Sequence, residues 1–298
     1  MNRTKRYLGI IPILFFLPSS SVLQAQIPAA IDTKMKSDNI RNFEVEELKV
    51  RWKKAALENC PGVPCATVTA STCGTLTVTD VDGNVYNTVN VGTQVWTREN
   101  LKVTKYNDGI TLIPDETSNT SWHLSLYGAR AEYVAPGATG YVSTYGYLYN
   151  WYAAAGINTA GGTSTKNICP VGWHVPTDAD WTDLIRFIDK NEISILNGTQ
   201  SLIAGGKIKE KGTTHWGVEG VGTDNSTCFT ALPGGKRSAS IFGNIYSNRL
   251  YYGYFWSSTL DPVDNTKALY RELCDSCDGV GRYSWHKGFG YSIRCIKD

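Results

Sequence analysis

Residues 169–188, CPVGWHVPTDADWTDLIRFI, decide how the rest of the chain is read. Cys169 precedes a short strand-like run at 172–175, a Pro-Thr stop and a patterned helix start. Thr177 is a good N-cap. Asp180, three residues on, completes a capping signal that satisfies helix N–H groups otherwise left without partners. Trp181, Leu184, Ile185 and Ile188 follow at i, i+3, i+4 and i+7, one apolar stripe on a helix of about three turns. Glycine, threonine and aromatics dominate elsewhere, so the fold is expected to pack on this helix. His174, between Trp173 and Val175, reads as a packed core residue rather than a base.

N-terminal to this stretch, residues 1–25 read as a secretory signal, with Arg3, Lys5 and Arg6 ahead of an apolar run and Ala25 as the last residue removed. A retained anchor needs roughly 20 apolar residues and a stop-transfer flank, and neither is present. The expected location is therefore exported: secreted, periplasmic or on the surface of a bacterium. Residues 26–73 read as an N-terminal extension: a polar start, a helix over 40–59 with mixed charges, and a turn-rich stretch holding Cys60, Cys65 and Cys73. Interleaved glutamates make that helix a surface element rather than a basic membrane binder. The main domain is expected over 74–298. A net charge of +2 without a basic stripe excludes nucleic acid as an obvious partner. Eight cysteines in an exported chain read first as disulfides.

From Thr75 the apolar period changes to two. Asp82-Gly83 between the runs 76–80 and 84–91 is the strongest short hairpin signal, because that turn needs positive φ. Gln94-Val-Trp96 continues as strand. The aromatic run YGYLYNWY (145–152) reads as two faces of a partly buried element before it reads as a sugar-stacking surface. Residues 205–212 form a polar turn region, 229–235 (FTALPGG) a strand entering a turn, 251–258 (YYGYFWSS) an aromatic strand and 288–296 a closing strand. Turns and irregular loops, not repeated helices, join the strands, which predicts a mainly antiparallel α+β domain.

Little chemistry survives inspection. Cys274-Asp-Ser-Cys277 reads as a structural disulfide before a redox pair, which lacks a nearby βαβ pattern, or half a zinc site, which lacks a convincing second pair. His123, His174, His215 and His286 show no metal-binding spacing. Ser257 and Ser258 do not sit in a nucleophile elbow. Asp80-Val-Asp82-Gly-Asn84 lacks the later ligands of a calcium loop. Asp264, Glu272, Asp275 and Asp278 are close in sequence and read as a solvated acidic loop, with a calcium-ordered loop as the minor alternative. No catalytic residue is nominated, and no cofactor is expected.

Seven stretches, VTDVDGNVYNTVNVGTQVWTRENL, TKYNDG, YGYLYNWYAA, CPVGWHVPTDADW, FTALPGGKR, YFWSST and GYSIRCIKD, stand in an order that closely resembles the Fibrobacter succinogenes major paralogous domain over roughly 75–298. The resemblance implies a C-type-lectin-like fold, shared with formylglycine-generating enzymes: α+β, with mainly antiparallel strands, long irregular loops and an early capped helix. In that fold a disulfide ties the early helix to the last strand, which implies a Cys169–Cys295 bond. A second, loop-tying bridge would join Cys228 to Cys274 or Cys277. The paired active-site cysteine motif of the formylglycine-generating enzymes is not matched, nor are the calcium and sugar motifs of animal C-type lectins. The expected function is a non-catalytic binding or structural module of the cell envelope or surface, recognising glycan or protein. The alternative is an enzyme, either formylglycine-generating-like or glycan-active. Asn244, Asn248, Tyr251, Tyr252, Trp285 and His286, in Gly/Asn/Tyr-rich segments beside strands, are the candidate contacts.

Overall fold

Asp82-Gly83 turns the chain where its dipeptide predicts: Gly83 sits at φ 83° between strands β1 (Thr77–Thr79) and β2 (Val85–Val91), which pair antiparallel. The computed structural model describes residues 73–298 apart from 75, 135–139 and 243–244, all within a unit running from Thr67 to Asp298. The signal-like segment, the 40–59 helix, Cys60, Cys65 and Asn244 lie outside the described residues. A second hairpin departs from the expected continuous strand. Gly92, at φ 63°, reverses the chain so that β3 (Gln94–Thr97) folds back on β2.

Short elements follow: α1 (Asn119–Leu124), β4 (Arg130–Ala131), α2 (Tyr141–Tyr145), β5 (Leu148–Tyr149) and α3 (Trp151–Ala154). The 145–152 aromatic run is therefore split between a helix end, a strand and a helix start, and Tyr145, Tyr149 and Trp151 are buried. Next come β6 (Trp173–His174) and α4 (Asp178–Ile188), then β7 (Gly198–Ser201), α5 (Ala204–Ile208), β8 (Lys236–Arg237) and β9 (Tyr246–Ser247). Three long strands, β10 (Tyr252–Leu260), β11 (Lys267–Cys274) and β12 (Val280–His286), precede the closing β13 (Ile296–Lys297).

Two antiparallel sheets organise these elements. One has the order β1-β2-β3-β13-β6, so the last strand is inserted between β3 and β6; the other runs β10-β11-β12-β7. Helix α4 packs between them. Its capping box is formed as the sequence predicts, with the Thr177 hydroxyl accepting from Asp180 N and the Asp180 carboxylate accepting from Thr177 N. Trp181 meets Trp96 of the first sheet at 4.8 Å between ring centroids and Phe255 of the second at 5.8 Å. Leu184 and Ile185 are fully buried in the same cluster; side chains of this size contribute about 1.5–3 kcal/mol each by leaving water. A second cluster, on the other face of β10–β12, holds Tyr149, Trp151, Tyr254, Trp256, Tyr270 and Tyr291.

Three disulfides join described residues. Cys169 bonds Cys295 across 126 residues, tying the entry to β6 and α4 to the end of the chain. Cys228 bonds Cys73, correcting the expected bridge to Cys274 or Cys277. The reason is local: Cys274 and Cys277, three residues apart with Cα atoms 5.4 Å from each other, bond one another. Cys73 thus anchors the start of β1's approach to the body of the domain instead of closing the segment before it.

Other readings change too. His174 is not a core residue: its half-exposed ring lies 2.6 Å from Asp298 through Nδ1 and 3.4 Å from Asp180 through Nε2. Residues 229–235 are not a strand, because Cys228 and Thr230 adopt positive φ (57° and 55°) and turn their carbonyls toward arginines. The 205–212 region begins inside α5, which is buried, and Lys209 after it is 1% exposed.

Candidate functional site

Strands β10, β11 and β12 carry aromatic or acidic residues at successive alternate positions on one face: Tyr252, Tyr254 and Trp256, then Tyr270 and Glu272, then Tyr283 and Trp285. The register pairs Tyr254 with Glu272 and Trp256 with Tyr270 across β10 and β11, and Tyr270 with Tyr283 across β11 and β12. Side chains alternate along a strand, so Tyr252, Tyr254, Glu272, Tyr270, Tyr283 and Trp285 share one face. That face grades along its length. Trp256 is fully buried, Tyr254 and Tyr270 nearly so, and Tyr252, Glu272 and Tyr283 are half-buried at the open end. Here they line a groove of about 370 Å³, closed at its rim by the Cys274–Cys277 bond and Asp278.

The rings are held by one another. Tyr252 stacks on Tyr254 at 5.7 Å with planes 15° apart, Tyr254 stacks on Tyr291 at 5.1 Å, and Tyr270 contacts Tyr283 at 5.9 Å. Asn248, in the left-handed region at φ 67°, donates from Nδ2 to the Tyr254 hydroxyl at 2.7 Å. Its carbonyl accepts from Tyr252 N. The Lys236 ammonium lies 5.2 Å from the Tyr254 ring centroid and 6.0 Å from that of Phe289, within cation–π range.

Glu272 is the electrostatic feature of this groove. Burial pushes its carboxyl above the usual range, while Lys236 and the Tyr270 hydroxyl pull the other way without cancelling the effect. Its field in turn helps to raise the hydroxyls of Tyr254, Tyr270 and Tyr283, for which burial is the larger cause. A half-buried carboxylate surrounded by aromatic rings is a common feature of ligand sites, because the low-dielectric walls strengthen whatever charge or hydrogen bond it meets.

Lys209 fixes the groove's rim. Its ammonium donates to the carbonyls of Cys274 (2.9 Å), Asp275 (2.9 Å) and Cys277 (2.6 Å), so the cysteine loop is wrapped on a buried cation. Burial lowers the lysine's pKa against the raising fields of Asp278, Asp275 and Glu219.

The expected contact residues divide. Tyr252 lines the groove, whereas Asn248 does not and instead holds the Tyr254 hydroxyl beside it. Trp285 extends the same face along β12 and meets Phe289 edge-on at 5.9 Å. Tyr251 is exposed outside the groove, against Gly217. His286 falls at the alternate position of β12, its Nδ1 accepting from Gly288 N. Asn244 lies outside the described residues. Glu272 and Tyr283, which line the groove, and Tyr254 and Tyr270, buried beside it on the same sheet face, were missed as site residues. The signal for them was the period-two pattern in ALYRELC (268–274) and RYSW (282–285), which makes Glu272 a strand residue and not part of an acidic loop.

Asp264, Glu272, Asp275 and Asp278 do not converge. Asp264 pairs with Lys267, Asp275 accepts from Ser276 N, and Asp278 accepts from Gly222 N and the Thr223 hydroxyl. Among the described residues no group of three or more His, Cys, Asp or Glu is placed to hold a metal ion. Nor is any described helix long and apolar enough to cross a membrane. Disulfides between described residues are bonds of an oxidising compartment.

Comparison with curated proteins and with solved structures gave no match. The Fibrobacter succinogenes major domain matches residues 89–297, which contain α4, the whole β10-β11-β12-β7 sheet and every groove residue. On that match, the chain belongs to the Fibrobacter succinogenes major domain family.

Proposed function

We propose that this protein is an exported, non-catalytic binding module of a bacterial cell envelope or surface, with a C-type-lectin-like fold, that recognises glycan through the groove at the open end of β10–β12. The observation that carries this reading is the half-buried row of Tyr252, Glu272 and Tyr283 on one sheet face, continued by Trp285. Flat tyrosine and tryptophan faces suit the apolar faces of sugar rings, and their polar tips supply hydrogen bonds. The groove's backbone is already committed. Gly253 bridges Gly235 and Phe255 bridges Ser292, so β10 offers no free edge for an added peptide strand. The C-type-lectin-like reading is supported by the Cys169–Cys295 bond between the entry to the capped helix and the last strand.

The test is a glycan array with the mature protein, followed by pull-down from the native envelope. Binding should fall at least about tenfold in Tyr252→Ala and Tyr283→Ala, the loss of about 1.4 kcal/mol expected of a stacking aromatic. Both variants should keep the wild-type far-UV spectrum. Turnover of any glycan or peptide, abolished by one polar substitution, would overturn the binding-only account in favour of an enzyme. Failure to retain any ligand would leave a structural role in the envelope.

A further inference from the structure

The groove is not neutral. A module built only to stack on uncharged sugars has no need of a carboxylate in the middle of its tyrosines, and placing one there is costly unless something compensates its charge. Glu272 stands opposite Tyr254 in the register, beside Tyr270 on its own strand, with Tyr283 diagonal to it on β12 and Tyr252 diagonal on β10. The charged or titratable groups facing it are these four tyrosines, Tyr291 from the C-terminal segment and Lys236 from β8. Lys236 does not form an ion pair with Glu272: its ammonium is placed over the Tyr254 and Phe289 rings. Asp278 adds a second carboxylate at the rim, held by Gly222 N and the Thr223 hydroxyl and in the field of the Lys209 ammonium buried behind the cysteine loop, and no lysine or arginine lines the groove itself.

We propose that this groove takes an amino sugar, a glycan bearing a free, protonated amine, with the ammonium held by Glu272 among the rings of Tyr252 and Tyr283 and the sugar face lying on those rings. The inference rests on the glycan reading above and names its ligand class. An ammonium has two attractive partners here, a carboxylate and the negative faces of aromatic rings. N-acetylation removes the charge and leaves the stacking. An anionic sugar meets Glu272 and Asp278 instead and is disfavoured. The pH dependence follows from the two groups. Affinity falls on the acid side as Glu272 takes a proton and on the alkaline side as the amine loses one, giving a bell.

The experiment is calorimetric titration of the mature protein with a glucosamine tetramer and, separately, with the N-acetylglucosamine tetramer. The amine form should bind at least about tenfold more tightly, the effect of one charge-assisted contact of about 1.5–3 kcal/mol. Glu272→Gln should bring the two affinities together, and Glu272→Asp should restore part of the difference. Both variants are checked by thermal melting, so a folding defect is separated from a lost contact. Equal binding of the two tetramers by the wild type, unaffected by Glu272→Gln, would overturn the amine inference while leaving the glycan reading standing. No binding of either tetramer, alongside a positive array for other sugars, would overturn it too. A blank array would remove both.

Discussion

Arg294, in the closing segment, is completely buried and forms no ion pair with a carboxylate among the described residues. Its guanidinium donates to Asn100 Oδ1 and to the carbonyls of Thr97, Phe229 and Thr230, at 2.7–3.0 Å. Burial pulls it down to about 9, so it is still protonated at neutral pH. Arg294 and Arg98 together account for the left-handed backbone at Cys228 and Thr230: the Thr230 carbonyl is turned to Arg294 and the Cys228 carbonyl to Arg98. Arg294→Met should destabilise by roughly 3 kcal/mol or more, since it leaves buried carbonyls without donors. Urea unfolding measures it; a loss under about 1 kcal/mol would show that water replaces the guanidinium. Glu272 behaves oppositely. A carboxyl raised in the folded state binds its proton more tightly than in the unfolded chain, so stability falls as pH rises from about 4.3 through the folded value. Glu272→Gln should thus raise the melting temperature at pH 7 and leave it unchanged near pH 3.

At the scale of elements, α4 is secured at its first turn. Asp178 accepts from Arg271 at 2.7 Å and from Arg282 at 2.7 Å, which ties the helix N-terminus to β11 and β12. Burial raises the Asp178 carboxyl, but the two arginines outweigh it and hold it below the usual range. The sign follows: this contribution is present above the unfolded carboxylate value of about 3.9 and is lost as pH falls through the lower folded value. Asp178→Asn should cost about 3–5 kcal/mol at pH 7, because Arg271 is 1% exposed and would keep its charge without its carboxylate. The penalty should shrink toward zero in acid unfolding curves. Thr177→Ala removes only a cap and should cost about 1 kcal/mol. Thermal melts of the two variants at pH 7 and pH 3 separate these effects: the Asp178 loss is the larger at pH 7 and shrinks in acid. The capped helix and the Asp82-Gly83 hairpin were legible because each rests on contacts within a few residues. The Gly92 reversal and the β11–β12 pairing were not, since a glycine or an alternating run does not reveal which strand it will meet.

For the whole molecule, the Cys169–Cys295 bond closes a 126-residue loop around nearly every element after β6's entry. Chain-entropy arithmetic assigns such a loop about 4–5 kcal/mol. The double variant Cys169→Ala/Cys295→Ala should lower stability by that order in denaturant titration, whereas Cys274→Ala/Cys277→Ala, closing a loop of very few residues, should cost far less. Losses of equal size would show that the short bond matters through the Lys209-held rim and not through chain entropy. The chain's own letters determined its family, its α+β class, the capped helix and the first hairpin, because caps, turn dipeptides and hydrophobic period act over a few neighbouring residues. Only the tertiary structure decided that Cys228 meets Cys73, that His174 lies between two carboxylates, and that Glu272 stands among tyrosines from three strands. Those facts depend on sheet register and on chain segments more than a hundred residues apart, which no local pattern encodes.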